Sequence, residues 1–104
     1  MSTLDDRADA FENKFAHDAE MQFKAEARRN KLLGLWAAGL LGKTDDEAAA
    51  YAKDVIKADF EEAGDDDVLR KVAGDLGDKA DKQTIRSKMD ELLIAAKSQL
   101  MAEG

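Results

Sequence analysis

The sequence predicts an all-α fold, a four-helix bundle with a mobile, partly disordered N-terminal arm, on three observations. The chain has no Pro and no Cys. Charged residues make up 38% and hydrophobic residues 44% of it, with few β-branched side chains, a mixture that suits helices better than sheets. Its apolar residues recur at spacings of three and four between isolated glycines. With 104 residues there is material for one small core.

The first forty residues contain no helix breaker before Gly34. Ser2 with Asp5, and Thr3 with Asp6, have the spacing of an N-terminal cap. One uninterrupted helix from residue 4 to 41 would be about 57 Å long at 1.5 Å per residue, against a radius of gyration of about 13 Å for a domain of this size. Only part of it can pack on the bundle. Leu32, Leu33, Trp36, Ala37, Leu40 and Leu41 form a dense stripe that assigns residues 19–41 to the bundle. Residues 1–18 carry the thinner stripe Leu4, Ala8, Phe11 and Phe15 among many acids, and form the arm, which becomes helical on binding a partner.

A second helix is expected over 44–62. Thr44 and Glu47 have the capping-box spacing, Tyr51, Ala52, Val55, Ile56 and Phe60 form its apolar face, and Gly64 supplies a left-handed stop. Asp65 is placed to cap a short helix over 66–76, with Val68, Leu69, Val72, Ala73 and Leu76 buried. Asp81 can cap the last helix, over 82–102, where Ile85, Met89, Leu92, Leu93, Ala96 and Leu100 give the clearest amphipathic pattern.

The net charge of −7 argues against general nucleic-acid binding and against attraction to anionic lipid, but it is uneven. Residues 1–22 carry six acids and two bases, whereas 23–43 carry Lys24, Arg28, Arg29, Lys31 and Lys43 against Glu26 alone. The opening segment is acidic where a signal peptide would be basic, and no apolar run reaches the roughly 20 residues of a membrane span, so a cytoplasmic protein without direct membrane insertion is expected. The single histidine, His17, has no nucleophile patterned with it, and no phosphate-binding glycine loop or Ser/His/Asp set is present, so catalysis is not expected. Glu61, Glu62, Asp65, Asp66 and Asp67 do not form a calcium loop, because Gly64 precedes the acids instead of following the alternating ligands. No metal site is expected. Arg28, Arg29 and Lys31 can hold a phosphate or a partner's carboxylates, or pair with acids of their own bundle.

The stretch FENKFAHDAEMQFKAEARRNKLLGLWAAGLLG, residues 11–42, closely resembles the zeta-subunit family, the intrinsic ATPase inhibitors of α-proteobacterial F-type ATP synthases. KFAHD, FKAEARRNKLLG and WAA carry the resemblance; AYAKDVIKADFEEAGDDDVLRKV, residues 50–72, and IRSKMDELLIAA, residues 85–96, extend it. It implies a regulatory inhibitor, not an enzyme. It further implies that the arm wedges as a helix into an α/β catalytic interface of the ATPase head, beside the γ subunit, and blocks ATP hydrolysis but not synthesis. Leu4, Ala8, Phe11 and Phe15 would be its apolar contacts and Asp5, Arg7, Glu12 and Lys14 its pairing groups. The protein would be a monomer when free and would sit at the inner membrane through the synthase. No cofactor is required. The alternative is a small helical protein that binds or senses ATP or ADP at Arg28, Arg29 and Lys31.

Overall fold

The computed structural model describes residues 19–60 and 64–103. They form helices α1 (Ala19–Leu40), α2 (Asp45–Ala58) and α3 (Asp66–Leu76), a 3-10 turn (Gly77–Lys79), and α4 (Lys82–Glu103). The described residues contain no strand. The expected arm, residues 1–18, lies outside them.

Helix α1 is the axle of the bundle. It packs along α2 and α4 and also touches α3. Two rows of side chains, each with a spacing of four, point inward: Ala25, Arg29, Leu33 and Ala37, and beside them Asn30, Gly34 and Ala38. Four-residue rows of small and aliphatic side chains are the ridges that settle into a neighbouring helix. The core joins Leu33, Ala37 and Ala38 to Tyr51 and Val55 of α2, Val68, Val72 and Leu76 of α3, and Ile85 and Met89 of α4. Each fully buried aliphatic side chain in this set contributes about 1.5–3 kcal/mol. Trp36 packs half-buried on the core edge, with the Lys88 ammonium 5.7 Å from its ring centroid.

The helix ends have separate causes. Gly42, at φ +78°, closes α1 in a Schellman motif: its amide bonds Gly39 O at 3.2 Å, and Lys43 N bonds Ala38 O at 2.9 Å. α2 begins where the capping box was read, but the Thr44 side chain makes no cap bond, and the Glu47 amide bonds the Thr44 backbone carbonyl at 3.0 Å. Nor does Asp65 cap α3; its carboxylate is taken by arginines. Asp81 does cap α4, accepting from the Thr84 amide at 2.8 Å.

The second helix is shorter than the 44–62 expected and stops at Ala58. Its last amides tighten to three-residue bonds, Asp59 N to Ile56 O and Phe60 N to Lys57 O, while the Asp59 carboxylate accepts from Asn30 Nδ2 at 2.9 Å. Phe60, expected on the buried face, therefore falls past the helix and is 67% exposed. Leu40, expected in the α1 stripe, is also exposed.

The closest approach of α1 to α2 is set by a missing side chain. A Cβ on Gly34 would stand 2.6 Å from the Ala52 Cα, which is backbone and cannot swing aside. Gly34→Ala is expected to destabilise the bundle by about 1–3 kcal/mol through overpacking. Gly39, in the same helix, has nothing within 4 Å of its would-be Cβ, so Gly39→Ala should stabilise by roughly 0.5–1 kcal/mol. Thermal unfolding of the two variants, read by circular dichroism, should move in opposite directions.

Candidate functional site

The basic cluster of the sequence comes apart in three dimensions. Arg28 and Lys31 lie on one face of α1, while Arg29, a turn of 100° away, points inward and is only 3% exposed. Arg28 reaches α4, where Nη2 donates to Glu103 Oε1 at 2.9 Å and Nη1 donates to Gln99 Oε1 at 3.0 Å. This fork holds the Glu103 carboxyl below its usual range. Lys31 is exposed.

Arg29 belongs to a polar chain that ties the bundle together. Its Nε donates to Asn30 Oδ1 at 3.0 Å and its Nη1 to Asp65 Oδ2 at 3.4 Å; Asn30 Nδ2 in turn donates to Asp59 Oδ2. Arg86 of α4 closes the chain with bonds to Asp65 Oδ1 at 2.9 Å and Asp66 Oδ1 at 3.0 Å. Burial opposes ionisation of Asp65, but the hydrogen bond from Arg86 and the charges of Arg86 and Arg29 outweigh it and hold the carboxyl below the ordinary range. No buried side-chain nitrogen or oxygen among the described residues lacks a partner.

A second polar group sits at the α2–α3 contact. Tyr51 donates to Asp75 Oδ2 at 2.8 Å, and Lys71 donates to the same oxygen at 3.0 Å. Burial and this hydrogen bond push the Tyr51 hydroxyl up. Within each set the polar groups satisfy one another, which suits joints between helices.

Among the hollows on the described residues is an apolar groove along α1. A hollow of about 470 Å3 lies over Phe23, Ala27 and Lys31 of α1, Ile56 of α2 and Leu100 of α4, with Lys24, Arg28 and Glu103 at its edges. A second hollow of about 350 Å3 shares Lys31 and Ile56 with it and is also lined by Leu35, Ala49 and Lys53. The Phe23 ring, 54% exposed, stands 6.0 Å from that of Phe60 at its rim. Reading residue types alone missed this groove; the signal was present in Phe23, Ala27, Lys31 and Leu35, a four-spaced row beside the buried one.

Leu4, Asp5, Arg7, Ala8, Phe11, Glu12, Lys14, Phe15 and His17 lie outside the described residues, as do Glu61 and Glu62. No group of His, Cys, Asp or Glu among the described residues is placed to hold a metal ion, and no described helix is long and apolar enough to cross a membrane.

The described residues thus form a small helical bundle in which Arg28, Arg29 and Arg86 brace its own helices and an apolar groove edged with lysine stays accessible. The chain belongs to the ATPase inhibitor subunit zeta family, whose model matches residues 1–99. A structure solved by solution NMR is similar to it, with 62% sequence identity and a TM-score of 0.75, covering 81% of this chain and 99% of that one. No curated protein matches the chain at a significant level.

The position of Asp65 between two arginines has a pH consequence. A carboxyl held low in the folded state stabilises the fold above its unfolded pKa of about 3.9, and that contribution is lost as pH falls through the lower folded value. The thermal midpoint is expected to drop below pH 4, and Asp65→Asn should lower the midpoint at pH 7 while flattening the fall between pH 5 and pH 2.

Proposed function

We propose that the chain restrains ATP hydrolysis by an F-type ATP synthase, with residues 1–18 as the inhibitory element and the bundle as its anchor. The observation that carries this reading is that the family match begins at residue 1 and so includes the acidic segment ahead of α1. In this reading the segment folds as a helix in line with α1 and wedges into an α/β catalytic interface against the γ subunit. Rotation in the hydrolytic direction is blocked there, and rotation in the synthetic direction expels the wedge. The protein is a non-catalytic regulator and reaches the membrane surface only through the synthase.

The chemistry of the segment supports a binding-coupled helix. Leu4, Ala8, Phe11 and Phe15 recur at spacings of four, three and four, one face of a helix. Burying Leu4, Phe11 and Phe15 gives roughly 1.5–3 kcal/mol each, while ordering a segment on binding costs on the order of 2–5 kcal/mol. The remainder is modest, so Asp5, Arg7, Glu12 and Lys14 are assigned as pairing groups and the bundle as a second point of attachment.

The test is ATP hydrolysis by an isolated α-proteobacterial ATPase head stripped of its own zeta subunit and titrated with the full chain. The full chain should inhibit, and a version lacking residues 1–18 should not. Phe11→Ser with Phe15→Ser removes at least about 3 kcal/mol of anchoring and should raise the half-inhibitory concentration by about 100-fold or more. Inhibition that survives both changes would sink the reading. ATP synthesis by energised vesicles should be unaffected by the full chain.

A further inference from the structure

The geometry points to the groove along α1 as the surface by which the bundle docks on the ATPase head, taking a segment whose apolar side chain is flanked by carboxylates. This rests on the inhibitor reading and names the second attachment that reading requires.

Charge and position select the occupant. The chain carries a net charge of −7, yet the two neighbouring hollows are lined by Lys24, Arg28, Lys31 and Lys53 against Glu103 alone, and Glu103 is already held by Arg28. Lys24 pairs with exposed Glu20 at 3.2 Å, a contact that a partner's carboxylate can replace at little cost. Lys31 lines both hollows and Lys53 the second, each sharing that lining with Ile56, and neither forms an ion pair among the described residues. The rest of the lining is mainly apolar, Phe23, Ala27 and Leu100 in the first hollow and Leu35 in the second, with Ile56 in both. An apolar side chain seated on Ile56, which lines both hollows, would bring flanking carboxylates toward the lysines that share that lining.

The groove also begins where the proposed wedge ends. Phe23 is four residues into α1, about 6 Å along the helix from Ala19. A surface that grips residues 1–18 therefore meets Phe23 and Phe60 next. Their exposed rings supply the apolar contact that usually anchors such an interface. Two linked attachments raise affinity without tighter contacts at either one.

Full-length variants separate the groove from the arm. Phe23→Ser and Lys31→Glu change exposed side chains, and Lys53→Glu repeats the charge reversal from α2 if either of the first two lowers the thermal midpoint. Against the stripped ATPase head, each is expected to raise the half-inhibitory concentration at least tenfold while leaving maximal inhibition at saturation unchanged, and the charge reversals should also weaken its dependence on salt. Groove variants that inhibit at wild-type concentrations would overturn the docking proposal while leaving the inhibitor reading intact. No inhibition by the wild-type chain would remove the inhibitor reading itself and the docking proposal with it. A wild-type dimer in sedimentation equilibrium that Lys31→Glu dissolves would also overturn the proposal, by giving the groove to a second copy.

Discussion

The bundle depends on the burial of a guanidinium. Arg29 occupies an inward row of α1 that otherwise holds Ala25, Leu33 and Ala37, and a charge so placed must be met by hydrogen-bonding partners. Those partners lie on either side of the connection between α2 and α3. Asp59 reaches the site through Asn30, Asp65 reaches it directly, and Arg86 brings α4 to the same carboxylate. Asp59, just past the end of α2, and Asp65, just before α3, are thus both tied to the central helix by electrostatics.

With Arg29 satisfied inside, the neighbouring face of α1 is left to other uses. Arg28 is braced by Glu103 and Gln99 of α4, so the last turns of α4 stay against the start of α1. Gly34 lets α2 approach from the other side. Between these two contacts the side chains Phe23, Ala27, Lys31 and Leu35 have no helix over them, and the groove is what remains. Structural polar groups and accessible apolar ones are thereby sorted onto different faces of the same helix.

The features legible in the sequence were those set by local chemistry. Asp81 caps α4, the stripe Ile85, Met89 and Ala96 turns inward, and Val68, Val72 and Leu76 line α3, because capping and amphipathic spacing are properties of a single segment. The features that were not legible are those decided by a neighbour. Asp65 has the sequence of a cap, but two arginines from other helices compete for its oxygens and win. Arg29 looks like one of three surface cations, although its place in the row Ala25, Arg29, Leu33, Ala37 marks it as internal once the spacing is followed. Gly64, at φ +86°, does adopt the left-handed conformation expected of it, yet it stops a connection and not a helix. The groove was invisible for the same reason: an unpartnered face is defined by where the other helices are not.

The pairing of α1 with α4 also bears on the order in which the molecule can be assembled. α1 and α2 are neighbours in sequence and can meet through Gly34 and Ala52 as soon as both have left the ribosome. α1 must then wait for α4, whose last residue, Glu103, lies well over half the chain beyond Leu40. At about 5–20 residues per second that interval is on the order of 3–13 s. Until α4 is complete, the inward rows of α1 lack the α4 half of the core and Asp65 has Arg29 without Arg86, so the nascent chain passes through a stage in which its central helix is only half clothed.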